Sequence, residues 1–202
     1  MSLTLIQNDT LTQCSENMLI GCGGAPLATS WLNRIAKQSQ TTTPLPKAIR
    51  TLAAPQISTG VMFEIDESEF AGYTIPSGDW IVELNKTSFL SSNIVIQDIY
   101  ICHFDSSCVS QAQLGTSHPN QQLTGGPQVF SFMVTGVNGV SLSTGDKIVI
   151  TCTIRSAISG TANALIKPDS NIITPAVLAT GQGPLVNRSA QLGSLVGGVL
   201  TR

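Results

Sequence analysis

The feature that most constrains this chain is a series of apolar, β-branched runs with almost no helical period between them. The runs are Val61–Ile65, Trp80–Leu84, Ile94–Cys102, Val129–Val134, Lys147–Ile154 and Asn163–Lys167. Each is short and bounded by turn-forming residues, which is the pattern of a strand between turns. The run from Lys147 alternates and places Ile148, Ile150, Cys152 and Ile154 on one face. The run from Ile94 is a strand by composition, with polar Gln97 and Asp98 in its middle. Parallel strands need crossover connections of a dozen or more residues, usually helical, and no such helices are legible. Six or more strands without helices predict an all-β fold, an antiparallel β-sandwich or barrel over residues 59–175. A local echo supports this: Pro76-Ser-Gly-Asp79 and Ser143-Thr-Gly-Asp146 each put Gly-Asp in a tight turn that launches a strand.

The flanks read differently. Residues 1–58 carry Gly21-Cys-Gly-Gly-Ala-Pro26, Thr41-Thr-Thr-Pro-Leu-Pro46 and Ala53-Ala-Pro55, punctuation that marks irregular or extended chain. A short helix over Trp31–Lys37, capped by Ser30, fits the spacing of Trp31, Leu32 and Ile35. Residues 176–202 are again irregular, with Gly197-Gly198 opposing a helix. Apolar segments without a core of their own want a partner surface. Both flanks therefore read as extended, mostly irregular arms, with Leu5, Ile6, Leu19, Ile20, Trp31, Leu32, Leu195 and Val199 as the side chains expected to bind a partner.

Composition narrows the function. Ten Lys+Arg against twelve Asp+Glu, with no basic cluster, leave no electrostatic footprint for nucleic acid. No stretch of about 18 apolar residues exists, so no helical membrane span is expected. The first residues lack the basic and apolar regions of a secretory signal. Charged residues are only 11% of the chain, which suits a subunit that lives against other subunits. The five cysteines are odd in number and irregular in spacing, so they are expected to be mostly reduced, buried thiols, with a Cys102–Cys108 hairpin disulfide as the alternative.

Candidate chemistry is thin. Cys102-His103 with Cys108 is half a metal site, with only His118 and Cys152 to complete it. His103, Asp105, Ser106 and Ser107 hold the letters of a hydrolase triad, but triad members normally converge from distant positions. Glu64, Asp66, Glu67 and Glu69 are acidic enough to interest Ca²⁺, without EF-hand spacing. Tyr73, Trp80 and Tyr100 are the aromatics for a sugar-stacking platform. Phosphate-cradling glycine motifs are absent, and the Asn-x-Ser/Thr sites at Asn8, Asn85 and Asn187 read as chance. No enzyme, metal or cofactor is expected.

The order Ile75-Pro-Ser-Gly-Asp-Trp80, Val95-Ile-Gln-Asp-Ile-Tyr-Ile-Cys102, Val129-Phe-Ser-Phe-Met-Val134, Ser143-Thr-Gly-Asp-Lys-Ile-Val-Ile150 and Asn171-Ile-Ile-Thr-Pro175 resembles small jelly-roll virion proteins of tailed bacteriophages. These include capsid cement (decoration) proteins and fibre head domains, those of cyanophages in particular. The resemblance covers about residues 60–175, and the flanks do not share it. It implies two packed antiparallel sheets, often in a homotrimer, attached to the outer surface of a capsid lattice. The partners it implies are the major capsid protein and neighbouring copies of the chain. A tail, fibre or adhesin domain binding host-surface glycan is the alternative within the same resemblance.

Overall fold

The computed structural model describes residues 2–11, 22, 34–38, 47–50, 57–75, 77–87, 93–158, 163–166 and 170–175. These residues form strands β1 (Ser2–Leu11), β2 (Arg34–Lys37), β3 (Lys47–Arg50), β4 (Ile57–Asp66), β5 (Thr74–Ile75), β6 (Gly78–Lys86) and β7 (Ile94–Phe104). The series continues with β8 (Ser110–Ser117), β9 (Gln121–Gln122), β10 (Gln128–Val137), β11 (Val140–Ser141), β12 (Lys147–Ser156), β13 (Asn163–Ile166) and β14 (Asn171–Pro175). Two 3-10 turns, Glu67–Glu69 and Ala71–Tyr73, join β4 to β5. The chain is an all-β, antiparallel, sandwich-like fold, as the strand runs predicted.

One layer runs β10-β6-β14-β1, with β13 and β3 appended at the far end of β6 through Ile166 and Lys86. The other runs β2-β4-β12-β7-β8, with β9 beside the start of β7. Strand β1 belongs to both layers. Its first half pairs with β14, Ser2 opposite Pro175 through Ile6 opposite Asn171. Its second half pairs with β2, Gln7 opposite Ala36 and Leu11 opposite Arg34. The β2–β4 contact is parallel, Arg34 opposite Phe63. The layers approach again where Asn138 N donates to Leu114 O at 2.9 Å. A Cβ on Gly115 would there lie 2.9 Å from a Val137 methyl, so glycine is what lets β8 and β10 close.

Alternation fixes the core. Strand β10 turns Phe130, Phe132, Val134 and Val137 inward, and β6 turns Trp80, Val82 and Leu84 inward. They meet Ile148, Ile150, Cys152 and Ile154 of β12 and Ile96, Ile99 and Ile101 of β7. The one-face assignment for β12 therefore holds. Strand β12 also buries its other face: Val149 joins Val61, Cys102 and Phe104 in a second cluster outside the sandwich core. Cys22, Tyr100 and Cys108 pack on that cluster.

Two expectations change. The division at residue 58 is crossed by β1, β2 and β3, which carry ladder bonds into the sheets. Residues 34–37, expected in a short helix, are strand β2, because main-chain pairing with β1 and β4 outweighs a weak local helical spacing. Trp31 and the tail 176–202 lie outside the described residues. The cysteines are also corrected. Cys22 and Cys102 form a disulfide with Cα atoms 5.5 Å apart, Cys108 is disulfide-bonded too, and Cys152 is the buried free thiol. The Cys102–Cys108 alternative fails because Cys102 is already paired. Linking residues 80 apart restricts the unfolded chain, an effect of about 4–5 kcal/mol in the loop-entropy model.

Leu5 tests whether β1 is integral. It is fully buried opposite Ile172, whereas Thr4 beside it is exposed. Leu5→Ala is expected to cost about 2–5 kcal/mol in urea unfolding, and Thr4→Ala within about 0.5 kcal/mol. An unchanged midpoint for Leu5→Ala would make β1 a detachable arm.

Candidate functional site

The residues singled out from sequence do not converge. Trp80 is fully buried, its ring 6.4 Å from Phe70, and is unavailable to a glycan. Tyr73 is exposed in the turn before β5, and Tyr100 lies half-buried on the opposite layer. The acidic group disperses as well. Glu64 is buried on β4, and Glu69 accepts the Gln38 amide at 2.8 Å. Among the described residues no three His, Cys, Asp or Glu side chains gather as metal ligands. Cys102 and Cys108 are spent in disulfides, which removes the half-site at Cys102-His103. Of the proposed partner-binding residues, Leu5 is core and Ile6 is half-buried on β1. Leu19, Ile20, Trp31, Leu32, Leu195 and Val199 lie outside the described residues.

The triad letters separate too. Asp105 closes its own turn: Oδ1 accepts from Ser107 N and Val109 N at 2.8 and 2.9 Å, and Oδ2 from Gln111 Nε2 at 2.7 Å. His103 turns inward beside Ile148 and places Nε2 2.8 Å from Asp146 Oδ2. Asp146 also accepts from Ser143 N at 2.8 Å, and its own N–H donates to Ser143 O. Gly145 holds φ +90°, and a Cβ there would lie 2.7 Å from Ser106 Cβ. The Gly145-Asp146 turn is thus a capping device that tethers the end of β7 to the start of β12, whereas Asp79 of the other copy accepts from Gly136 N of β10. Burial pushes the Asp146 carboxyl up, but the Ser143 amide, His103 and Lys147 outweigh it, leaving the group below its ordinary value.

A second pair lies on the outer side of the β7 layer. His118 Nδ1 is 2.6 Å from Asp98 Oδ1, and Thr153 Oγ1 donates to Asp98 Oδ2 at 2.7 Å. The register places Thr151, Tyr100 and Thr116 in the next row. Burial, then the Asp98 charge, pushes the Tyr100 phenol up.

Lys86 is an outlier that composition did not flag. Its side chain is fully buried at the end of β6, with Nζ 2.5 Å from Gly125 O, and burial lowers its pKa.

The two outer faces of the sandwich contrast. That of β4-β12-β7 is buried: Glu64, Val149, Thr151 and Thr153 are all closed from water. That of β10-β6-β14-β1 is open. Val129 and Met133 are 54% and 55% exposed, and across the ladder Met133 faces Ile81, Ile81 faces Ile173 and Ile173 faces Thr4. In the adjacent row Ser131 Oγ donates to Glu83 Oε1 at 3.3 Å and Asn171 Nδ2 to Glu83 Oε2 at 3.2 Å. Glu83 is therefore already hydrogen-bonded on both oxygens, and Asp79, the other carboxylate on the outer side of β6, accepts from Gly136 N at 2.8 Å. The signal was present in Val129-Phe-Ser-Phe-Met-Val134, where apolar residues occupy both parities. A strand with one wet face ordinarily shows polar residues at alternate positions.

Two predictions follow from the buried charges. Asp146 is held below its ordinary value of 3.8, so it binds its proton more weakly folded than unfolded. Its contribution is complete above the unfolded value and is lost as pH falls through the folded one. Asp146→Asn is expected to lower stability at neutral pH by about 1–3 kcal/mol and to flatten the acid limb of a Tm–pH curve. An unaltered acid limb would exclude the cap as its source. Lys86 has the opposite sense: stability grows as pH rises through its lowered folded value toward the unfolded one. Lys86→Met is expected to match or exceed the parent in urea at pH 7, and a loss above about 1 kcal/mol would show that the bond to Gly125 outweighs desolvation.

No family model matches the chain, and no curated protein sequence does. Among solved structures, similarity extends to an α-amino acid ester hydrolase with 9% identity and a TM-score of 0.49, covering 88% of this chain and 36% of that one. A CocE/NonD family hydrolase from Staphylococcus aureus shows 9% identity and a TM-score of 0.45, covering 71% of this chain and 34% of that one. The infectious bursal disease virus VP2 subviral particle shows 10% identity and a TM-score of 0.29, covering 75% of this chain and 46% of that one. The chain spans about a third of the length of the two hydrolases, and at these scores none of the three activities or assemblies transfers to it.

Proposed function

We propose that the chain is a structural virion protein, a capsid cement or decoration protein that stabilises a phage head by bridging capsid subunits. The observation that carries this proposal is the open face of β10-β6-β14-β1, where Val129, Met133, Ile81 and Ile173 surround a Glu83 already bonded on both oxygens. Depletion of charge at the centre and apolar side chains at the surface are what the middle of a protein interface looks like.

The area of the face indicates the kind of contact. Four strands about 4.8 Å apart, each presenting about five residues at roughly 3.3 Å, make a patch of roughly 300 Å². A stable pairwise interface takes about 800 Å² per partner. One such contact is weak, and repetition over a lattice makes it strong by avidity. The partners proposed are the major capsid protein and neighbouring copies of the chain, in the homotrimer that the resemblance implies. Disulfides persist on virion surfaces and in other oxidising settings, which supports a place on the outer capsid surface. A non-catalytic role is supported by His103, whose Nε2 is engaged with Asp146, and by Asp105, whose carboxylate is consumed in its own turn. The glycan-binding alternative loses Trp80 to the core and retains Tyr73 as its exposed ring.

Quantitative mass spectrometry of purified particles is expected to find the chain at a copy number comparable to the major capsid protein. Val129→Lys with Met133→Lys is expected to leave the fold intact and abolish binding to particles stripped of the native protein. A few copies per particle, together with glycan binding lost in Tyr73→Ala, would replace cement with a fibre role. Absence from particles would end both.

A further inference from the structure

Strands β3, β8 and β10 lie at edges of the large sheet, and they are not alike. Strand β3 has four residues and begins and ends on charge, at Lys47 and Arg50. Strand β8 breaks register with β7 between Ile101 and Cys102 and again between His103 and Phe104. Short length, charge and bulges are the devices that keep an edge from pairing with another chain. Strand β10 has none of them over Gln128–Val134. It keeps even register with β6 from Gln128 opposite Lys86 to Val134 opposite Trp80, and its irregularity comes after Val134. There β8 approaches, with Gly115 against Val134 and Val137. No residue of β10 is charged and none is proline. Among the described residues β10 pairs with β6 alone, so alternate N–H and C=O groups on its other edge have no ladder partner.

This edge is also complementary to itself. Two copies of one strand related by a two-fold axis normal to the sheet pair antiparallel, and opposite residues point to the same side. Outward Val129, Ser131 and Met133 then meet outward residues, and inward Phe130 and Phe132 meet inward ones. The register with Ser131 opposite its own copy sets Val129 against Met133 and Phe130 against Phe132, like against like. The register centred on Phe130 sets Val129 against Ser131 and Met133 against Pro127, which has no N–H for the ladder. The register centred on Phe132 sets Ser131 against Met133 and runs into the irregularity after Val134. Charge does not oppose the first arrangement. Glu83 lies opposite Ser131 on β6, so the two copies' carboxylates would be three strand spacings apart. That is about 14 Å, beyond the screening length of about 8 Å at physiological ionic strength.

We propose that the β10 edge is a self-pairing site: two copies of the chain join β10 to β10 antiparallel across a two-fold axis, with Ser131 on the axis. The product is one continuous layer in which β6, β14 and β1 follow β10 on each side. Its outer face is twice the roughly 300 Å² of one copy, about 600 Å², and approaches the roughly 800 Å² per partner of a stable interface. Val129 and Met133 of both copies lie at its centre. This inference rests on the edge and its register and not on the virion proposal, and the two-fold contact is distinct from one that builds a homotrimer.

The register makes the test specific. Opposite Cα atoms in an antiparallel ladder are about 4.5–5.5 Å apart, within reach of a disulfide. Val129 of one copy would be four residues out of step with Val129 of the other, about 13 Å away and out of reach. The full chain is prepared as Ser131→Cys and as Val129→Cys, oxidised mildly in native buffer and compared with the parent on a non-reducing gel. Ser131→Cys is expected to form a covalent dimer at least about tenfold faster than Val129→Cys. A mixture of Val129→Cys with Met133→Cys is expected to cross-link between the two variants. Sedimentation velocity is expected to show the parent as a dimer and Ser131→Lys, with an unchanged circular dichroism spectrum, as a monomer. Equal cross-linking of Ser131→Cys and Val129→Cys would be random collision and would refute the pairing. A monomeric parent with no Ser131→Cys cross-link would mean that the edge is closed within its own chain, and would refute it too. A trimer without that cross-link would overturn the pairing and leave the virion proposal standing. The cross-link in a chain absent from particles would support the pairing and end the virion proposal.

Discussion

Burial of β12 on both faces is the constraint from which the rest of this fold follows. A sandwich strand needs one apolar face, and β12 supplies it with Ile148, Ile150, Cys152 and Ile154. Its other face carries Val149, Thr151 and Thr153, and they are buried as well. The described side chains on the neighbouring strip are Cys22, bonded to Cys102 one strand away from β12, with Tyr100 and Cys108. Strand β1 pairs with β14 in one layer and with β2 in the other, and β2 lies parallel to β4.

How much of this was legible follows from which forces are local. Strands β4, β6, β7, β10 and β12 announce themselves because their side chains alternate against a core, and alternation is written in consecutive residues. Strands β2 and β3 do not, since each has four residues and owes its conformation to a partner far along the chain. Arg34-Ile-Ala-Lys37 carries no signal that outweighs a helical spacing until β1 and β4 are in place. The disulfide was hidden for the same reason. Cys102 and Cys108 are near in sequence, and proximity suggested a pair, but the bond formed spans 80 residues. Among the candidate site residues the misleading signal was residue type. Trp80 and Tyr73 look alike as stacking groups, yet period-2 position sends the first into the core and the turn sends the second to the surface. Leu5 was misplaced by the opposite error, an apolar residue assigned outward because its strand had not been recognised.

The buried polar groups divide by whether they are answered. Asp146 is answered from a backbone amide and an imidazole, and its carboxylate stabilises the turn that leads from β11 into β12 and ties it to His103 of β7. Asp98 is answered by Thr153 and His118. Among the described residues, Lys86 has the Gly125 carbonyl at 2.5 Å to offset desolvation of its charge, and the Oγ1 atoms of Thr151 and Thr116 have no partner. Natural folds keep such groups where something other than stability selects them. The two threonines flank Tyr100 on the outer side of β12 and β7, and Trp80 Nε1 and Gln97 Oε1 are buried without a partner among the described residues as well.

The contrast between the outer faces bears on how a chain with 11% charged residues stays usable. Few charges mean little electrostatic protection against association, so apolar surface has to be either covered or committed. The face over β12 is covered, with its apolar strip beneath Cys22. Under the proposed function the face over β6 is the committed one: hydrogen bonds from Ser131 and Asn171 to Glu83 lower the cost of excluding water from that carboxylate. A lone carboxylate with unfilled acceptors would oppose any apolar partner, because burying it unpaired costs more than the surrounding side chains return. Bonded on both oxygens, it lowers that cost and leaves Val129, Met133, Ile81 and Ile173 to set the contact. Under the proposed function a face this small, with Asp79 and Glu83 each already accepting hydrogen bonds, makes contacts that are weak singly and strong by repetition.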